Sequence, residues 1–259
     1  MTNWLDTAAD LLLGATCPGC GTPGWGICTT CRAALEETSA FAVVRRLEGF
    51  PVASAARVYE GRLRRLVAAH KERHARGATS VLGALLAEAV EHRRPDGPVT
   101  LVPVPSSRSA VRQRGYDSVH LLADAAARSL SRDGRRVFVV SALTHVRRLA
   151  DQASLDTAAR WANLQGAMAA RPLAGPVIVV DDVCTTGATL VEAHRALMAV
   201  GVIDCQAATI SATVLRRDQG TQRSAGPATA GPADPERQLP RRRRHPSRRC
   251  GCGPLLQQS

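Results

Sequence analysis

Apolar positions along the middle of the chain switch repeatedly between helical and strand periods. Over residues 61–69, 81–91 and 117–130 they fall at helical spacing; in the last of these, Val119, Leu122, Ala123, Ala126 and Leu130 share one face. Short β-branched runs at 100–104, 136–140 and 176–180 predict strands, and 203–215 predicts another. Helices are expected over 156–164 and 188–200. Strands alternating with helices predict an α/β fold with a parallel sheet and helices on both faces. Ligands in such sheets sit beyond the carboxyl ends of the strands. Residues 103–116 and 181–189 both follow predicted strand ends, so they can converge on one site.

This pattern divides the chain of 259 residues into three parts. Residues 1–40 hold a short helix and a cysteine cluster, 50–215 carry the α/β pattern, and 216–259 have almost no apolar periodicity. The last part is rich in Gly, Pro, Arg and Gln and is expected to be a disordered basic tail. Aromatic residues make up 3% of the chain, so Ala, Val and Leu must fill the core. The formal charge is +12, but the tail carries ten Arg against Asp218, Asp234 and Glu236 and supplies +7 of it. Nucleic acid is therefore implied only weakly, and mainly through the tail. Residues 4–13 are too short for a membrane span and contain Asp6 and Asp10, and they lack the basic start of a signal peptide. No membrane association and a cytoplasmic location are expected.

Cys17, Cys20, Cys28 and Cys31 form CxxC-x7-CxxC. Four thiolates on two tight turns suit tetrahedral Zn²⁺ in a closed, structural site. A redox pair or plain buried thiols are the other readings of the same spacing. Cys184 and Cys205 read as apolar positions, and Cys250 and Cys252 lack two further ligands. His70 and His74 are four apart on a predicted helix, amid Lys71, Glu72, Arg73 and Arg76, and read as part of a solvated face.

The densest chemistry lies in VIVVDDVCTTGATL, residues 177–190. Four β-branched residues lead to Asp181 and Asp182, then to a loop of small hydroxyl and glycine residues, then to a helix. Backbone N–H groups at a helix start suit a phosphate, and paired carboxylates suit sugar hydroxyls, directly or beside a metal. Arg108, Arg112 and Arg114 follow the 100–104 strand and offer bidentate phosphate contacts, or form a solvated basic loop.

The 177–190 segment resembles the phosphoribosyl-pyrophosphate (PRPP) signature of type I phosphoribosyltransferases. With the cysteine knuckles and three further motifs, residues 4–215 resemble the ComF family, which is associated with DNA uptake in competence. Those motifs are Tyr59, Gly61 and Lys71; VPVP at 102–105 with Arg114, Gly115 and Tyr116; and Gln152, Arg160, Asn163 and Gly166. The chain departs from the family in having Asp117 and Ser118 where Asn–Gln is usual, which puts an acid near the expected pyrophosphate side, in having Ala150–Asp151 where a Thr is common before the Gln, and in the tail. The resemblance implies a zinc-knuckle segment followed by a type I phosphoribosyltransferase-like domain. It implies that Asp181 and Asp182 contact the ribose hydroxyls, with Mg²⁺ bridging ribose and pyrophosphate. Thr185, Thr186, Gly187, Ala188 and Thr189 would wrap the 5-phosphate, and Arg114, Arg112 and Arg108 would meet the pyrophosphate. Purine-salvage enzymes of the superfamily carry an acid at the position of Thr185, whose hydroxyl is no base near neutral pH; purine salvage is disfavoured. The implied activity is phosphoribosyl transfer to an acceptor with loss of pyrophosphate. The alternative is a non-catalytic PRPP sensor, or a partner-binding protein in single-stranded DNA import that engages a competence-machinery protein.

Overall fold

The computed structural model describes residues 16–37, 43–47, 50–72, 75–93, 97–147 and 157–213. The amphipathic segment 4–13, His74, Gln152 and the tail 216–259 lie outside the described residues.

A six-stranded sheet forms the centre. Its strands, in spatial order, are β1 (Val43–Leu47), β2 (Phe50–Val58), β8 (Cys205–Ala212), β7 (Val177–Cys184), β3 (Val99–Pro103) and β4 (Val137–Val139). Five strands run parallel, and β1 closes one edge antiparallel to β2. The fold is thus α/β with a parallel sheet, as its alternating pattern predicts. The first two strands had no counterpart in that prediction, and β1 makes one edge antiparallel.

Strand alternation divides the core into two layers. Ile178 and Val180 of β7, with Leu101, Ala208 and Ile210, face a layer built by α2 (Gly61–Glu72), α3 (Thr79–Glu91) and α5 (Ser118–Arg132). Val177 and Val179, with Val102 and Ala207, face α7 (Ala188–Met198) and a small antiparallel pair, β5 (Leu143–His145) with β6 (Met168–Ala170). The first layer is tight enough to require a glycine: a Cβ on Gly83 of α3 would come within 3.1 Å of the Ala125 carbonyl carbon on α5. In the second layer the buried Glu192 fastens β6 to α7. It accepts from Met168 N at 2.9 Å and holds Arg195, which donates to the Met168 carbonyl at 2.9 Å. That places the β5–β6 pair beside the carboxyl end of β7. Helix α6 (Thr157–Leu164) leads into β6.

The thiol-bearing segment packs on this body. Helix α1 (Thr29–Glu36) buries Leu35 in the first layer, and the buried Arg57 of β2 donates to the Leu35 carbonyl at 3.1 Å. Arg65 of α2 donates through Nε to the Gly19 carbonyl at 2.6 Å.

Candidate functional site

A cleft of about 670 Å³ opens at the carboxyl ends of β2, β3 and β7. Strand β7 runs four residues past the predicted end at Val180, through Cys184, so Asp181 and Asp182 are strand residues rather than loop residues. Pairing with β8 continues to Cys184 opposite Ala212, which holds both acids in the sheet. The turn to α7 is then only Thr185, Thr186 and Gly187. Gly187 makes it possible with φ of +85°, a conformation that side chains disfavour, and it starts α7 without a side-chain cap. Thr186 Oγ1 accepts instead from Ala188 N at 3.3 Å, and Thr213 Oγ1 donates to the Thr185 carbonyl at 3.2 Å.

Alternation along β7 separates the adjacent acids. Asp182 has the parity of Ile178 and Val180 and so meets the α2 layer. Its carboxylate is 2% exposed and lies 2.8 Å from Lys71 Nζ, near the end of α2. Asp181 is half-buried and accepts from Asp182 N at 2.8 Å. Burial, reinforced by the charge of Asp182, pushes the Asp181 carboxyl up to about 8. Burial works against the Lys71 ammonium, but Asp182 and Asp181 outweigh it and hold the amine charged above its ordinary range. The acids and their cation thus form one compensated cluster.

The structure brings Asp181, Asp182, Thr185, Thr189 and Arg114 to the walls of this cleft. Thr186 and Gly187 complete the turn behind them, and Ala188 faces a separate cleft between α6 and α7. Arg114 is already engaged: Nε donates to the Ala110 carbonyl at 3.2 Å, and one terminal nitrogen donates to the Lys71 carbonyl at 3.0 Å and Ser118 Oγ at 3.1 Å. Arg108 and Arg112 line an adjoining cleft of about 450 Å³ with Arg147, sharing Ser107, Ser109 and His145 with the first. The segment bearing the three arginines is no loop. It is a helix, α4 (Arg108–Arg114), started by Ser107 Oγ accepting from Ala110 N and ended by Gly115 at φ +75°.

Two further readings change. Asp117, the acid in place of an amide, is the N-cap of α5: Oδ1 accepts from Val119 N and His120 N at 3.0 and 3.2 Å and from Ser106 Oγ at 2.8 Å. His70 is not on a solvated face. It is 1% exposed, 3.1 Å from Thr79 Oγ1 through Nε2, and burial lowers its proton affinity. Tyr116 fixes this turn of α2 by donating to the His70 carbonyl at 2.8 Å.

Sequence reasoning missed two cleft groups. Lys71 reads from the sequence as a motif residue and as part of a solvated face, though its standing as the sole lysine of the chain is a signal. His145, which bonds the Pro105 carbonyl through Nε2 at 2.9 Å, had no local pattern to mark it.

At the other site, Sγ atoms of Cys17, Cys20, Cys28 and Cys31 all lie within 4.8 Å of one another. A tetrahedral thiolate site with Zn–S near 2.3 Å sets its sulfurs roughly 3.8 Å apart, and Cys20 and Cys28 are at 3.5 Å. Gly19 is required here, because a Cβ would stand 2.9 Å from Cys31 Sγ. The donor set and spacing fit Zn²⁺. Thr22, whose hydroxyl lies 3.0 Å from Cys20 Sγ, brings that exposed thiol down to about 6, in favour of thiolate. Burial drives the Cys31 thiol the other way.

No protein-family model matches the chain, and no curated protein matches it. No helix among the described residues is long and apolar enough to cross a membrane.

Proposed function

We propose that this chain is a cytoplasmic ComF-like protein that binds PRPP in the acid cleft and transfers phosphoribose to a nitrogenous acceptor with loss of pyrophosphate. The observation that carries this reading is the convergence, in one cleft, of two carboxylates at the end of the central strand, a three-residue Thr/Gly turn and a helix start without a side-chain cap. The 5-phosphate lies on the turn at Thr185–Thr189, where backbone N–H groups and hydroxyls suit it. The ribose hydroxyls meet Asp181 and Asp182. The pyrophosphate extends past Ser106 toward Arg114, with Arg108 and Arg112 in the adjoining cleft. In the reaction the acceptor nitrogen forms a bond to C1 as the C1–oxygen bond breaks, and the bonding pair leaves with pyrophosphate. The chain's contribution is to position the ligands and to stabilise developing charge.

The thiol cluster holds Zn²⁺ in a structural role and ties the segment onto α2. The acid pair is a poor Mg²⁺ site, because Lys71 already sits on Asp182 and Asp181 tends to keep its proton. In this reading Mg²⁺ would come with the pyrophosphate and would supply neutralisation of its charge. The resemblance to ComF proteins links the chain to DNA uptake and to a competence-machinery partner.

The experiment is calorimetry of Mg²⁺–PRPP binding to the zinc-loaded full chain, followed by pyrophosphate release in an acceptor screen. Binding is expected in the wild type and not in Asp181→Asn/Asp182→Asn. Removing such hydrogen-bonding groups typically costs about 2–4 kcal/mol. Absence of wild-type binding sinks the proposal. Thr185, where an acid would serve as base, favours the second reading, a PRPP sensor. Tight binding without turnover on any acceptor would select it.

A further inference from the structure

We infer that Lys71 is the resident cation of the sugar site, so that a sugar phosphate binds the acid pair without a divalent metal ion. This inference rests on the PRPP reading above and deepens it. Anionic ligands and carboxylates share a cleft only if something positive stands between them. Divalent cations usually do this for phosphorylated substrates. Here the place beside Asp182 is taken by the protein's own ammonium, 2.8 Å from Oδ2 and supplied by a different element of the fold.

Three features make this a built arrangement rather than a chance ion pair. The carboxylate is buried, with 2% of its side chain exposed, while the lysine side chain is 40% exposed and lines the cleft. An ammonium has three donors, so Lys71 can keep Asp182 and still donate to a ligand oxygen. Its backbone is also clamped: the Lys71 carbonyl accepts from Arg114 at 3.0 Å, and the neighbouring His70 carbonyl accepts from Tyr116 at 2.8 Å. These bonds tie the last turn of α2 to the segment after β3, so the ammonium is positioned by both walls of the cleft. A hydrated Mg²⁺ at Asp182 would have to displace this pair, whereas a ribose hydroxyl can join it.

The test uses ribose 5-phosphate, which carries the sugar and the phosphate without a pyrophosphate to recruit metal. Its affinity for the zinc-loaded full chain is measured by calorimetry in magnesium-free buffer and in excess Mg²⁺. A chelator is avoided because it would strip the thiol cluster. The two wild-type affinities are expected to agree within about twofold, whereas Lys71→Met should weaken binding about tenfold or more, the scale of one charge-assisted contact. Lys71→Arg, which keeps the charge, should recover most of the loss and guards against a folding artefact. Wild-type binding that needs Mg²⁺, or Lys71→Met binding as well as wild type, overturns the inference. If Mg²⁺–PRPP binds and ribose 5-phosphate does not, the inference fails while the proposed function stands. If neither binds, both fail.

Discussion

The thiol cluster and the acid cleft each gather groups of one chemistry, and they balance them in opposite ways. Among the described residues, the sulfurs of the four thiols accept or share hydrogen bonds only with neutral groups: the Thr22 hydroxyl at 3.0 Å and the backbone N–H groups of Cys28 and Cys31 at 3.4 Å. Four thiolates so close repel one another, and nothing in that set of contacts offsets a net negative charge. The acid cleft carries its own offset in Lys71. A cluster without an internal counter-charge depends on a bound ion to reach its folded geometry. A cluster with one is formed before any ligand arrives, and it selects ligands that can fit around the cation.

The largest expected effect comes from taking away the ion on which the thiol cluster depends. Purified protein should contain about one zinc per chain, and chelation or Cys31→Ser should lower stability by several kcal/mol. For a domain of this size that is on the order of 10 °C in melting temperature. Loss should be cooperative with the body, because Leu35 and the Arg57 bond to its carbonyl join α1 to the first core layer. Metal content by mass spectrometry and melting by circular dichroism check this. A zinc-free protein with an unchanged melt breaks the contrast between the two sites.

Next in size is the cost of breaking the cleft's own balance. Lys71→Met leaves Asp182 buried without its cation. A fully buried pair would lose about 3–5 kcal/mol, and the half-exposed lysine reduces that to about 1–3 kcal/mol. Asp182→Asn in the same chain removes the stranded charge. The double variant should therefore be more stable than Lys71→Met alone, with a coupling of about 1 kcal/mol in a double-mutant cycle from urea melts. Additive effects would show that the two charges act apart.

The pH dependence of the cleft has a definite sign. An unfolded aspartate titrates near 3.9, whereas burial and Asp182 push Asp181 up to about 8 in the fold. Between those values the folded chain keeps a proton that the unfolded chain gives up. The stabilisation is complete below about 4 and is lost as pH climbs through about 8. Relative to Asp181→Asn, the wild-type melting temperature should fall as pH rises across this window. The comparison cancels His70, whose depressed proton affinity acts in the other direction. A flat difference curve would mean that Asp181 is ionised throughout and that Lys71 balances two charges rather than one.

How far these sites were legible depends on the range of the interactions that make them. The thiol spacing and the β-branched run into Asp181 and Asp182 are local, and both were read from the chain. Strand β2, FPVASAARV, was missed because its Ala and Ser positions carry no apolar alternation; it forms by pairing with β8 and burying Ser54 and Arg57. The polar run of α4 looked like loop because its stability is in its ends, Ser107 and Gly115, and in no buried residue. His70 looked solvated because its neighbours in sequence are charged, while its partners, Thr79 and Tyr116, come from other elements. Lys71 and Asp182 meet only through the tertiary fold, so neither sequence neighbourhood announces the pair.

The smallest expected effect concerns Asp117, an acid near the cleft whose charge has two possible owners. As a departure from an amide it reads as charge facing the pyrophosphate. In the structure both carboxylate oxygens are occupied by the fold: Oδ1 caps α5, and Oδ2 accepts from Ser106 N at 3.1 Å. Asn caps a helix nearly as well as Asp, but its amide nitrogen cannot accept from Ser106. Asp117→Asn should therefore cost about 0.5–1 kcal/mol in a urea melt, chiefly through that one bond. If the charge belongs to the fold, PRPP affinity should change by less than about threefold, a fraction of one contact. A tenfold gain would return the charge to the site and make Asp117, like Asp181 and Asp182, an acid that the cleft has to balance.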